Sequence, residues 1–185
     1  VDAVVAGGFE AGGHNGREET TTLTLIPSVK EQLEIPLIAA GGIGSGKAML
    51  AAMVLGADGV QVGSRFVATD EASSHIEFKK KVVEAKEGST KLILKELAPV
   101  RLLKNKFYED LEELYTKGPS VEELKTLLGR ARAKRGMFEG DLTEGELEIG
   151  QVSALIHEIK PAGTVVAEMV AEFEKSIASL DRYRF

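Results

Sequence analysis

One histidine in this chain stands among glycines, in Phe9-Glu10-Ala11-Gly12-Gly13-His14-Asn15-Gly16. Imidazole changes charge near neutral pH, so His14 can take a proton from a weakly acidic carbon and return it, and the flanking glycines let a substrate come close. A second set of residues has the chemistry of an anion cradle. Ala39-Ala40-Gly41-Gly42-Ile43-Gly44-Ser45-Gly46 passes from an apolar run into a helical pattern. Its backbone N–H groups can point outward, a helix N-terminus adds positive potential, and glycine lets a phosphate approach the main chain. One repeat later, Ala57-Asp58-Gly59-Val60-Gln61-Val62-Gly63-Ser64-Arg65-Phe66 supplies another glycine turn. Tight turns alone account for Gly56 and Gly59. They do not account for Gln61, Gly63 and Ser64 gathered at one end of a strand, where a polar side chain is costly to bury without a partner. His75, early in a surface helix pattern, and His157, beside Glu158 near a helix end, read as ordinary surface residues.

The elements that must hold these residues follow a βα rhythm over the first 87 residues, which predicts a parallel sheet. Apolar runs at Val1–Gly8, Ile35–Ala40 and Gly59–Phe66 are the strands, and Leu23–Leu33 and Lys47–Leu55 carry helical apolar spacing between them. Ser45 is placed to cap the second helix and Gly56 to end it in a left-handed turn. In (β/α)₈ barrels the catalytic groups sit on the loops after the strands, and phosphate sites are frequently built from the last two of those loops. His14 and the two glycine turns fall on that face. After Phe66 the rhythm changes. Ser73–Glu87 is helical, Tyr108–Lys134 reads as two helices broken by Gly118-Pro119-Ser120, and Met137–Gly150 reads as an acidic, glycine-rich loop. Gln151–Ile159 and Ala162–Leu180, divided by Pro161, read as two closing helices. The expected organisation is therefore an α/β chain of three C-terminal βα units of a TIM barrel (1–88), a helical appendage (89–148) and helices returning to the barrel (149–185).

Bulk properties narrow the chemistry. With 23 Lys and Arg against 29 Asp and Glu, the net charge of -6 offers no general attraction for nucleic acid or an anionic membrane. There is no cysteine, so disulfides, thiolate metal sites and thiol catalysis by this chain are excluded, and no cluster suggests another metal site. No apolar run approaches the roughly 20 residues that span a bilayer, and Val1-Asp2-Ala3-Val4-Val5 lacks the basic flank of a secretory signal. A cytoplasmic protein acting on a small molecule is the expectation. At 185 residues the chain is short for a whole barrel of about 250 residues, and it opens inside a strand pattern without Met, as a fragment would.

Three segments together carry a family resemblance: Glu10-Ala11-Gly12-Gly13-His14-Asn15-Gly16, then Ile38-Ala39-Ala40-Gly41-Gly42-Ile43, then Gly56-Ala57-Asp58-Gly59-Val60-Gln61-Val62-Gly63-Ser64-Arg65-Phe66. In order and spacing they resemble the nitronate monooxygenases, formerly 2-nitropropane dioxygenases. The neighbouring flavin-dependent enoyl-acyl-carrier-protein reductases share all three. Ile149-Gly150-Gln151-Val152-Ser153-Ala154-Leu155-Ile156 is similar to a Gly-Gln segment that these proteins carry near the flavin. The resemblance implies that the three strands are the sixth to eighth of the barrel, and that FMN lies across its mouth with the phosphate on Gly41, Gly42, Gln61, Val62, Gly63 and Ser64. It implies His14 facing the flavin ring. In one branch the matching His is the base that deprotonates a nitroalkane carbon, and electrons pass to molecular oxygen. In the other the substrate is an enoyl thioester and the electrons come from NAD(P)H. The first five strands, with the residues that grip the isoalloxazine ring, would belong to an N-terminal part of the same barrel. Asn15 and the charged Arg17-Glu18-Glu19 after the histidine favour the monooxygenase branch.

Two further readings remain. An inosine-monophosphate-dehydrogenase-like barrel uses similar turns but needs a nucleophilic cysteine that this chain lacks. A non-catalytic flavin- or phosphate-binding barrel, with the appendage serving regulation or a homodimer, is the other.

Overall fold

The computed structural model describes residues 1–180. Three short parallel strands, β1 (Val4–Gly7), β3 (Leu37–Ala40) and β4 (Gly59–Gln61), form one sheet in the order β1-β3-β4. The register pairs Val4 with Leu37, Ala6 with Ala39 and Ala40 with Gln61, which brings the strand ends and the glycine turns after them side by side. The crossovers are α1 (Thr22–Lys30) and α2 (Gly46–Val54). Ile26, Leu37, Ile43 and the small residues Ala6, Ala39, Ala52 and Ala57 close the core between sheet and helices. The fold is α/β, as expected.

The caps of α2 form as the sequence predicts, with a consequence for the site. Ser45 Oγ accepts from the Ala48 N–H at 3.2 Å, and Gly56 leaves the helix at φ +110°. The N-terminal amides of Gly46 and Lys47, however, both donate to Glu172 Oε2, at 2.7 and 3.4 Å. Glu172 belongs to α8 (Ala162–Ala178), which packs along α2. The positive end of α2 is thus already met by a carboxylate.

The strand expected over Gly59–Phe66 stops at Gln61, and α3 (Ser64–Val67) is a single helical turn. Gly63 turns the chain there, at φ -102° and ψ -72°. α4 (Ile76–Val83) occupies the middle of the helical stretch expected at Ser73–Glu87 and buries Phe78 and Val82.

The larger difference lies beyond residue 88. β5 (Thr90–Ile93) and β6 (Val100–Leu103) form an antiparallel hairpin, and β2 (Gly13–His14) adds to the free edge of β6. Further along the same edge Leu103 N–H donates to Leu147 O at 2.9 Å, and Glu148 bridges Leu102. Between those points the chain makes an excursion through α5 (Lys106–Tyr115), α6 (Val121–Leu128) and α7 (Arg132–Met137). Ser120 starts α6 in a reciprocal capping box with Glu123. The acidic segment expected to be a loop returns as the strand-like Glu146-Leu147-Glu148-Ile149, with Leu147 and Ile149 buried. Only Gln151–Leu155 of the expected Gln151–Ile159 helix is helical, as a 3-10 turn. No helix among the described residues is long and apolar enough to cross a membrane.

Candidate functional site

The turns after β3 and β4 open into one cleft of about 220 Å³. Gly41 and Gly42, at φ +93° and +71°, turn the backbone in a way side chains disfavour. A Cβ on Gly41 would meet Gly8 O at 2.7 Å, whereas a Cβ on Gly63 would meet no atom within 4 Å. The open space at Gly63 faces the same cleft, as do the exposed Gln61 and the half-buried Ser64. Val62 is not among the lining residues, since its side chain packs against the core below the sheet. Five of the six residues expected to hold the phosphate therefore line one surface with their backbone or side chain.

Two features of this cleft were not legible as chemistry in the sequence. Among the described residues no Lys or Arg lines it, so anion binding would depend on main-chain N–H groups and polar side chains. Glu10 lines it too, but its carboxylate accepts from Thr22 N–H and Thr22 Oγ at about 3.0 Å, which ties that charge to the start of α1. The returning segment closes the floor. Gly150 N–H donates to Ser64 Oγ at 2.9 Å, and Gln151 N–H donates to Glu10 O at 2.9 Å. Gly12 and Gly150 must both lack side chains for this, because a Cβ on Gly12 would meet Gly150 N and Ile149 C, and one on Gly150 would meet Glu10 O.

His14 is exposed and does not line the phosphate cleft, although Gly12 and Gly13 before it do. Paired with Val100 across β2 and β6, it lines an adjoining cavity of about 230 Å³. Glu148 lines both spaces. Its Oε2 stands 2.7 Å from where a Cβ on Gly13 would be, so the glycine at φ +71° leaves room for that carboxylate beside the histidine loop. Burial pushes the Glu148 carboxyl up, and the charge of His14 pulls it back. Glu146, 7% exposed, is pushed up to about 7 by burial and by the Glu148 charge, against the pull of Arg132. The alternation Glu146-Leu147-Glu148-Ile149 was the sequence signal for these two carboxyls. It is a period-two pattern that reads as loop only because glycines and other acidic residues surround it.

The histidine loop is braced from below. Asn15 Nδ2 donates to Ala11 O and Gly13 O, both at 2.9 Å. Arg17 donates to Leu97 O at 2.9 Å, and Lys95 pairs with Glu19 at 2.7 Å, so the segment after His14 is fixed to the β5–β6 turn. Arg101, 2% exposed, stacks on the Phe9 ring at 4.3 Å and donates to Phe9 O at 3.0 Å and Thr90 Oγ1 at 3.2 Å. His75 and His157 stand away from both spaces. His75 Nδ1 caps α4 by accepting from Glu77 N–H at 3.2 Å, and His157 is exposed.

Comparison with known proteins agrees with the motif reading. The sequence model of the nitronate monooxygenase family matches residues 1–172. A probable nitronate monooxygenase of Staphylococcus saprophyticus is 32% identical over 167 residues, covering 84% of this chain and 46% of that protein. FabK from Thermotoga maritima superposes with a TM-score of 0.91 at 38% identity, over the whole of this chain and 58% of its own. A nitroalkane oxidase from Streptomyces ansochromogenes superposes with a TM-score of 0.77 at 32% identity, over 97% of this chain and 54% of its own. The chain spans about half the length of the curated relatives it matches. On the family match and on three motifs carried in order around one pair of clefts, the chain belongs to the nitronate monooxygenase family.

Proposed function

We propose that the protein carrying this chain is an FMN-dependent monooxygenase that oxidises alkyl nitronates with molecular oxygen to a carbonyl compound and nitrite. The chain would form the last three βα units of its (β/α)₈ barrel. The observation that carries this reading is that Gly41, Gly42, Gln61, Gly63 and Ser64 share one cleft with Gly12 and Gly13, the residues that lead into His14. The cleft fits the phosphate end of a flavin nucleotide, because positive-φ glycines and the unobstructed Gly63 leave backbone N–H groups open to an anion. A bound flavin supplies the two-electron redox chemistry.

The work of the chain's own residues is positional and acid–base. Gly41, Gly42, Gly63 and Ser64 hold the phosphate, with the Val62 backbone between them. His14 accepts the proton from the carbon bearing the nitro group, and the carbon electron pair moves onto that group. Asn15 and Arg17 keep the histidine loop in place through the contacts described above. Removing a positioned general base costs about 10²–10⁴ in rate. His14→Ala in the full-length, FMN-loaded protein should therefore lower oxygen consumption with a nitroalkane at least 100-fold while the flavin absorbance is retained. Absence of oxygen uptake by the unaltered protein with both nitroalkane and nitronate would overturn the assignment.

A second reading, NAD(P)H-dependent reduction of an enoyl thioester, is favoured by the superposition on FabK, an enoyl-acyl-carrier-protein reductase, which is tighter than that on the nitroalkane oxidase. Anaerobic addition of NADPH separates the two. Prompt bleaching of the flavin with turnover of a crotonyl thioester marks the reductase.

A further inference from the structure

Among the described residues Glu148 alone lines both the phosphate cleft and the cavity at His14, whose other walls include Leu94, Val100 and Leu128. Its place follows from the register of the ribbon. His14 pairs with Val100 of β6, Gly13 with Arg101, and Glu148 bridges Leu102 on the same edge. Val100 and Leu102 are two residues apart and pack into one core cluster, so they project to one face of β6. Cross-strand partners share the face of the residues they oppose. His14 and Glu148 therefore project to the same side, roughly 7 Å apart along β6 at about 3.4 Å per residue. Gly13 is the residue between them. A Cβ there would stand 2.7 Å from Glu148 Oε2, so the glycine is what lets the carboxylate lie over the backbone that leads into His14. Leu147 and Ile149, both buried, and the hydrogen bond from Leu103 N–H to Leu147 O at 2.9 Å hold the returning segment in that register.

The charged groups around this half-buried carboxyl leave it one partner. Glu10 in the phosphate cleft is a like charge, tied to Thr22 at about 3.0 Å. Glu146 in the cavity is a like charge as well. Arg132 lines the cavity but is committed elsewhere: Nε donates to Leu128 O at 2.8 Å, one terminal nitrogen to Glu144 O at 2.6 Å and the other to Leu127 O at 2.8 Å. Its plane stacks on Phe107 at 4.4 Å, and Glu144 Oε2 lies 3.4 Å from it. His14 is the remaining side chain of either space that can carry a positive charge. Burial raises the Glu148 carboxyl, and the charge that draws it back down is that of His14.

We propose that Glu148 is a positioning residue for His14, its carboxylate reaching across Gly13 to orient the imidazole and to pair with the imidazolium. The proton stays on His14, and the carboxylate steadies the charge without taking it up. The inference rests on the proposed role of His14 in proton transfer. It applies equally whether His14 takes up a proton or gives one, because the charged ring takes part in both.

The pair can be read without turnover. In the full-length, FMN-loaded protein carrying glutamate labelled with ¹³C at Cδ, the Glu148 signal is the one lost in Glu148→Gln. His14→Asn removes the facing charge, so Glu148 should titrate at higher pH in that variant than in the parent. An unchanged Glu148 titration would overturn the pairing. Kinetics test the positioning. With a neutral nitroalkane, Glu148→Gln should lower kcat roughly tenfold or more, with KM and the flavin absorbance near those of the parent. Glu148→Asp should recover part of the loss. A preformed nitronate needs no proton removed, so Glu148→Gln should oxidise it like the parent. An equal fall on both substrates would reduce Glu148 to a structural support and sink the proposal. If His14→Ala keeps its oxygen uptake, the base role fails while the titration still decides whether the two side chains are paired, so the two failures are seen separately.

Discussion

At the scale of single residues, the two kinds of glycine in the phosphate cleft make opposite predictions. Gly41 is fixed by its backbone: at φ +93°, and with Gly8 O in the way, Gly41→Ala should cost roughly 1–3 kcal/mol of stability. Gly63 has space around it and a φ of -102° that any residue adopts. Gly63→Ala should melt within a degree or two of the parent yet bind FMN more weakly, because its methyl would enter the volume proposed for the phosphate. Melting curves and flavin titration on the two variants test both statements. Glu146 makes a prediction about pH. Its carboxyl is raised to about 7 in the folded chain against about 4.5 when unfolded, so the folded state holds the proton more tightly. Stability tied to that proton is complete below about pH 4.5 and is lost as pH rises through about 7. Glu146→Gln should therefore melt like the parent at pH 5 and at higher temperature than the parent at pH 8.

At the scale of elements, α8 packs closely along α2. Gly46 permits it, since a Cβ there would collide with the Met169 carbonyl oxygen and the Phe173 nitrogen of α8. Alanine normally improves a helix. Gly46→Ala should here do the reverse, with a loss of roughly 1–3 kcal/mol in a denaturant titration as the helices are forced apart and the Glu172 cap is broken. Elements of this local kind were readable in advance. The β1, β3 and β4 runs are apolar and punctuated by glycine, and Ser45 and Gly56 bound α2 by rules that need only neighbouring residues. The antiparallel ribbon was not readable. β2 is two residues long, and β6 carries a fully buried Arg101 whose partners, Phe9 and Thr90, are supplied by other segments. The candidate site divides along the same line: its glycine cleft is written in contiguous motifs, while the walls around His14 begin only at Leu94 in the sequence and appear only once β2 meets β6.

At the scale of the whole molecule, β1 and β4 each have one edge without a strand partner among the described residues, and Val5, in the middle of β1, is 54% exposed. The relatives, about twice as long, have chain to spare for those edges. The 185 residues produced alone should bind a dye for apolar surface such as ANS and should bind FMN much more weakly than the full-length protein. Equal flavin affinity for the two would show the cleft to be self-sufficient. The excursion from β6 has a consequence of another kind. It departs after Leu103 and returns at Leu147, two residues joined by a hydrogen bond, so its ends lie side by side while its α6 and α7 portions wall the cavity at His14. A segment with adjacent ends can be exchanged as a cassette. Grafting residues 104–146 between family members should carry substrate preference with it and leave the glycine turns of the first cleft in place, with Met137 the one lining residue of that cleft to travel with the graft.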